Sequence, residues 1–300
     1  MDVRTITTIL TGLVLAFASG FANAQIGPCT FTAAQQASSP QRIAIANVAC
    51  EEHKNWRQPF INLDGRAGWQ DGYIPMEAEG EGDALVDGIL PWKRVAAYWR
   101  DTPALAQMVA LGIDGAAQCV NEEQFDKWHV EASCRTFIVS NPWSGAFVSY
   151  VIQKSGTKNF TYSHKHITYM RDANDAHPGG PYHLVDFKKE KPETGDLLCY
   201  SRAGAVASHR SLVEYMKQRD DSLYTHCDVV VASNLGGDSK LYVIGGNVLQ
   251  TVMMRKLSLD SAGYFSPPRT SRGGACRVNE ERDCSLSRKY WIALLKLQED

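Results

Sequence analysis

From Ala33 to Arg57 the apolar residues mostly recur at helical spacing. Pro40 opens the main helix there, Ile43, Ala46, Cys50 and Trp56 are available for its inner side, and Pro59 stops it. Asn62 to Gly88 carries little periodicity and much Gly, Asp and Glu, so it is expected as a long surface loop, either a plain solvated connection or a lid over a groove. Pro91 opens a further helix, PWKRVAAYWR, with Trp92, Val95, Ala96 and Trp99 on one side. Helical segments follow at Ala104–Leu111 and at Asn121–Val139, the latter with Phe125, Trp128, Val130 and Phe137 available for packing. NPWSGAFVSY begins another, in which Phe147, Tyr150, Val151 and Lys154 keep helical spacing while Val148 and Ile152 add a second apolar face. A helix apolar on most sides is a buried one.

The pattern changes after residue 180. Pro181–Phe187, Asp196–Ser201, Tyr224–Ala232, Leu241–Val248 and Thr251–Leu259 read as strands, with a polar insertion at Arg202–Ser222 and a hairpin-type loop at NLGGDS. Ser266–Asp283 is rich in Pro, Gly and Arg and reads as loop. Tyr290–Leu297 is strand or helix, since periodicity does not separate the two. Helices followed by an antiparallel run of strands indicate an α+β fold.

The 300 residues are 44% hydrophobic and carry a net charge of −2, which gives no reason to expect a nucleic-acid partner. Arg4, the apolar stretch Ile6–Phe21 and the Ala22-Asn23-Ala24 site form an export signal, so the mature chain is expected to start at Gln25. No later stretch is long and apolar enough to span a bilayer, and the expected location is periplasmic or extracellular. Eight cysteines lie in the mature part, an even count that favours disulfides after export. Local pairing gives Cys29–Cys50, Cys119–Cys134, Cys199–Cys227 and Cys276–Cys284, with the connectivity left open by sequence alone. The absence of a C-x-x-C pair argues against a zinc ribbon or a thioredoxin-like site.

Ser144 lies in the first turn of the buried helix, where free N–H groups and the dipole favour developing negative charge. Taken alone it reads more simply as an ordinary helix-start residue. His226 opens a strand of valines, a rigid place for a general base. Asn247, beside Gly245 and Gly246 in YVIGGNV, is a residue that could hold an imidazole in one tautomer, or simply a turn asparagine. His164 and His166 stand two apart in YSHKHITY, on a strand or loop, with no acidic neighbour to complete a metal motif, so no metal is expected. His129, His177, His183 and His209 read as surface or loop residues.

A small nucleophile at a helix start, a histidine at a strand start and a polar residue one strand later resemble the papain-like cell-wall amidases and peptidases of the CHAP and NlpC type. NPWSGAFVSYV looks like the nucleophile helix, THCDVVV like the histidine strand and IGGNV like the third-residue strand. More closely, WKRVAAYWR, NPWSGAFVSYVI, FTYSHKHITYM, GDLLCY, HCDVVVA, IGGNV and LSLDSAGYF resemble the domain of unknown function 2272 family, over roughly Arg42–Leu297. The resemblance implies an N-terminal helical region over 25–120 packed on a papain-like α+β domain over 121–300, with a buried nucleophile-position helix and an antiparallel sheet.

It also implies an exported hydrolase of peptidoglycan stem peptides that needs no metal or organic cofactor. Ser144 would be the nucleophile, His226 the base and Asn247 its orienting partner, with Trp143, Tyr162 and His166 lining the groove. The superfamily carries Cys where this chain has Ser144, and a hydroxyl needs concerted proton removal where a thiol ionises. The same sequence therefore admits a non-catalytic envelope-binding protein, or an effector delivered to another cell's envelope. Cys227 adjoins His226 but faces the other side of its strand, where pairing with Cys199 is the expectation.

Overall fold

The computed structural model describes residues 27–299 apart from 70–71, 80–82, 203, 219–222, 269–275, 277 and 280–283. The export signal and the expected start at Gln25 lie outside the described residues, as does most of the Ser266–Asp283 loop. The described chain is mixed α+β, with eight α-helices and one nine-stranded sheet.

The N-terminal part gives α1 (Ala33–Ser38) and α2 (Pro40–Asn55), then short strands β1 (Phe60–Ile61) and β2 (Ala67–Gly68). Helices α3 (Pro91–Arg100), α4 (Pro103–Ala110), α5 (Trp128–Ser140), α6 (Ser144–Lys154) and α7 (His166–Asn174) follow. Three of these helices, α2, α3 and α4, begin on Pro, whose missing N–H costs nothing in a first turn. The rest of the sheet is β3 (Tyr182–Val185), β4 (Leu197–Ser201), β5 (Thr225–Ser233), β6 (Lys240–Val248), β7 (Thr251–Leu259), β8 (Phe265–Ser266) and β9 (Tyr290–Leu297), with α8 (His209–Met216) inserted between β4 and β5. The order is β2-β1-β7-β6-β5-β4-β9-β3, with β8 on β7. All pairs are antiparallel except β1 with β7.

One open reading is decided here and three are corrected. Tyr290–Leu297 is a strand, because it fills the slot between β4 and β3. Trp128 does not pack: it is 79% exposed at the start of α5, which begins seven residues later than the expected helix. His166 stands at the start of a helix, not on a strand or loop. The Asn62–Gly88 stretch is no plain solvated connection, since it buries Leu85 and Glu77 and contributes β2 to the sheet.

Strand alternation divides the interior in two. Cys227, Val229 and Val231 of β5 and Tyr242 and Ile244 of β6 face the helices, where Trp99, Phe137, Phe147, Val151 and Ile152 cover them. Val230, Leu241, Val243, Leu257, Leu294 and Trp291 form a second core on the other face. Four disulfides join Cys29–Cys50, Cys119–Cys134, Cys199–Cys227 and Cys276–Cys284, the pairs that local pairing gives. Cys199 and Cys227 are direct cross-strand partners on β4 and β5, so that bridge lies on the face opposite His226.

Candidate functional site

The geometry begins with the close approach of two helix starts. Gly145, the second residue of α6, lies against the backbone of His164: a Cβ there would stand 2.5 Å from the His164 carbonyl carbon and nearer still to its oxygen. Farther along α6, the Ser149 hydroxyl donates to the Ser163 carbonyl at 3.0 Å and accepts from the Ser163 N–H at 3.1 Å. Ser163 in turn accepts the Lys165 N–H at 3.0 Å. These contacts lay residues 163–165 along α6, so that α7 starts with His166 directly over Ser144. Ser144 Oγ and His166 Nε2 are 2.7 Å apart, and both residues are buried.

The other ring nitrogen of His166 is bonded to the Tyr169 hydroxyl, one helical turn on. Burial, reinforced by the charges of His226, Arg202 and His164, holds His166 well below the ordinary histidine range. The imidazole is therefore neutral at pH 7. If Nδ1–H donates to Tyr169, Nε2 is left as the acceptor for the Ser144 hydroxyl, which is the arrangement of a general base.

A second imidazole lies beside the first. The rings of His166 and His226 are 5.1 Å apart between centroids, and Tyr200 stacks on the other histidine at 4.9 Å. His226 and Asp228 are two apart on β5 and so share a face, and His226 Nε2 donates to Asp228 Oδ1 at 2.8 Å. The other Asp228 oxygen accepts from Arg255 Nε of β7 at 3.5 Å, and Arg255 Nη1 donates to the Leu286 carbonyl at 2.8 Å. Burial by itself would raise the Asp228 carboxyl, but His226 and Arg255 outweigh it and hold it below the usual carboxylate range. His226 is lowered by burial, with Asp228 opposing and Arg202 and Arg255 adding to the depression. Its Nδ1 has no hydrogen-bond partner among the described residues.

Gly245 makes room for this pair. A Cβ at that position of β6 would stand 3.0 Å from both Asp228 Cγ and His226 Nε2, and closer to Asp228 Oδ1. Gly246, on the opposite face, admits Phe147 and Trp143: its Cβ would lie 2.5 Å from Phe147 Cβ and 2.8 Å from Trp143 Cζ3. Neither glycine has a positive φ; Asn247 does, at 54°. The pair thus supplies space where unusual torsion was expected.

The sequence candidates are distributed accordingly. Ser144 and His166 meet, with His166 on the hydroxyl itself where a groove-lining role was expected. His226 makes no hydrogen bond to Ser144 and sits behind His166. Asn247 does not orient His226, since Asp228 takes Nε2 and Nδ1 has no partner among the described residues. Trp143 is fully buried and donates to Glu77 Oε2 at 2.5 Å, so it anchors the helix start and lines no groove. Tyr162 packs edge-on against Phe160, away from the cavity. Asp228, Tyr169 and Arg255 escaped the sequence reading. Two signals for them were present: a charged residue at i+2 from His226 inside a valine run, and a hydroxyl at i+3 from His166.

Ser144, His166, Arg202 and Thr225 line a cavity of about 390 Å³. Trp143, the residue capping α6, makes no side-chain cap, and the first turn holds no acidic residue. The N–H groups ahead of Phe147, whose own N–H bonds the Trp143 carbonyl, therefore have no helical partner. Ser144 Oγ and His166 Nε2 thus meet at the cavity wall, where α6 begins.

None of the curated proteins and none of the solved structures matches the chain. A family described as an uncharacterised protein conserved in bacteria, the domain of unknown function 2272 (DUF2272), matches residues 87–297, a span that holds Ser144, His166, His226, Asp228 and Arg255. By that match over more than half its length, the chain belongs to the DUF2272 family.

Proposed function

We propose that the protein is an exported serine hydrolase of amide bonds, related to the papain-like cell-wall amidases and peptidases and acting on peptidoglycan stem peptides. The observation that carries this reading is the 2.7 Å contact between Ser144 Oγ and His166 Nε2 at an uncapped helix start. Ser144 Oγ attacks the carbonyl carbon as its proton passes to His166 Nε2. Free N–H groups of the first α6 turn receive the oxyanion, and His166 returns the proton to the leaving amine. Water then cleaves the acyl-serine ester by the same base. Tyr169 fixes the His166 ring, and the His226–Asp228 pair places a carboxylate behind the base as it becomes charged. His226, the base expected from sequence, acts here as a positioning residue.

Export is supported by the four disulfides, which persist in oxidising compartments. Among the described residues no helix is long and apolar enough to cross a membrane. One observation favours a second reading, a binding protein built on the same fold. Burial holds His166 low and so opposes its taking a proton.

Digestion of purified sacculi separates the two, with released fragments read by mass spectrometry. Fragments from the native chain that are lost in Ser144→Ala and His166→Ala are the expected result. Fragments from Ser144→Cys alone would mark a binding protein with a switched-off site. Undiminished release by His166→Ala, with His226→Ala inactive, would return the base to His226.

A further inference from the structure

The walls of the Ser144 cavity are unequal in charge. Met108, Pro142, Leu223 and Tyr224 make one side apolar, Lys165 and Arg202 bring two cations, and among the described residues no aspartate or glutamate lines the cavity. Two helices, α6 and α7, start at this cavity, and each lacks both a side-chain cap and an acidic residue in its first turn. Their dipoles add to the same positive field. Thr225 supplies a separate observation. It is 8% exposed, it lies in the cavity wall, and its hydroxyl has no hydrogen-bond partner among the described residues. A buried hydroxyl is seldom left unpaired unless something else completes it. Arg202 is set beside it by register: its N–H donates to the Tyr224 carbonyl at 2.9 Å, and Ser201 pairs with Thr225.

We infer that this cavity binds a carboxylate of the substrate between Arg202, Lys165 and the Thr225 hydroxyl, so that the ligand is a peptide acid with a small apolar portion. The inference rests on the proposed amide-bond chemistry for its choice of a peptide. A guanidinium is suited to this task because its fork matches a carboxylate with two parallel N–H donors. Both cations are exposed, and the Arg202 side chain also bonds to Tyr200. A bound carboxylate also offsets the Arg202 charge that depresses His166.

Binding is measured on the Ser144→Ala chain by calorimetric titration, which removes turnover from the readout. The probes are acetyl-alanyl-alanine, its C-terminal amide and inorganic phosphate. The acid should bind about tenfold or more tightly than the amide, as expected for a charge-assisted contact, and Arg202→Gln should bring the two within about twofold of each other. Equal affinities for acid and amide overturn the assignment, as does failure of both to bind. A preference that survives Arg202→Gln combined with Lys165→Gln overturns it too, and so does phosphate binding more tightly than the acid. Unchanged melting temperatures of these surface variants guard against a folding artefact. A preference for the acid without any fragments from sacculi would sink the hydrolase and leave the subsite. Fragments without the preference would do the reverse.

Discussion

Gly245→Ala tests the buried pair at the heart of the site. The new methyl would stand 3.0 Å from Asp228 Cγ and His226 Nε2, and nearer to Asp228 Oδ1, where ordinary contacts begin at about 3.4 Å. β6 is an interior strand, hydrogen-bonded to β5 and β7, so its backbone has little freedom to withdraw. The Asp228 side chain must move instead. It is buried, and the partners it would leave, His226 and Arg255, are buried as well. Overpacking costs about 1–3 kcal/mol, and breaking a buried charge pair about 3–5 kcal/mol. Since one displacement causes both, the combined loss is expected at about 4 kcal/mol.

Urea unfolding at pH 7 of the native chain, Gly245→Ala, Asp228→Ala and the double variant forms a cycle. Asp228→Ala removes the nearest atoms the methyl would strike and leaves only His226 Nε2 at 3.0 Å. In that background Gly245→Ala should cost less than about 1 kcal/mol, leaving a coupling of about 3 kcal/mol between the two sites. Additive costs would refute the reasoning, because they would mean that the glycine is needed for something other than room for Asp228. A Gly245→Ala variant as stable as the native chain would refute it more directly.

Gly145→Ala should separate α6 from residue 164, break the Ser144–His166 contact and abolish any hydrolysis of sacculi. His53 is pushed down to about 4 by burial, with its bond to the Pro59 carbonyl opposing. Between pH 6.5 and about 4 the unfolded chain therefore binds a proton that the folded chain does not, and stability falls as pH falls through that window, by about 3 kcal/mol from this group. Urea midpoints at pH 7 and pH 4.5 measure the loss, which should shrink in His53→Gln. Replacing Cys199 and Cys227 together by Ala should cost about 3.5 kcal/mol of unfolding free energy, the loop-entropy value for their sequence separation of 28, with no loss of the His226–Asp228 pair on the opposite face.

Strands β3 to β7 and helices α1 to α6 were legible because their signals are local, whereas β1, β2, β8, α7 and α8 were not read. Proline marks the start of α2 and α3, and the valine run of β5 could hardly be anything else. The buried character of α6 followed from its two apolar faces. What failed depended on the partner side chain. Trp128 has the right type and spacing for a core residue, yet the helix begins with it and nothing lies beyond. His164 and His166 have a strand's period of two, but Lys165 ends an extended turn and His166 begins a helix with no capping residue to announce it. Asp228 was visible as a charge among valines, but only the sheet register shows that Gly245 leaves it room and that Arg255 closes its other oxygen. The helix start at Ser144 was legible, whereas its contact with His166 is a matter of tertiary packing through Ser149 and Gly145.

On the proposed chemistry, the charges of the cluster favour a serine over a cysteine. At rest His166 and His226 are neutral, Asp228 is ionised and Arg255 balances it, so the buried group carries no net charge. A cysteine at position 144 would function through a thiolate–imidazolium pair, which puts a second cation into the same dry interior before any substrate arrives. The burial that depresses His166 opposes that pair, while a hydroxyl holds its proton until attack. Ser144→Cys should therefore keep its thiol protonated at neutral pH despite the helix start. No cysteine is free among the described residues, so alkylation by iodoacetamide reports on the new thiol alone. The rate should climb with pH toward an apparent pKa at or above about 8.5, the value of an unperturbed thiol, and His166→Ala should leave that profile in place. A rate already on its plateau at pH 6, lost on removing His166, would show a resting ion pair and overturn the account of why this site carries a serine.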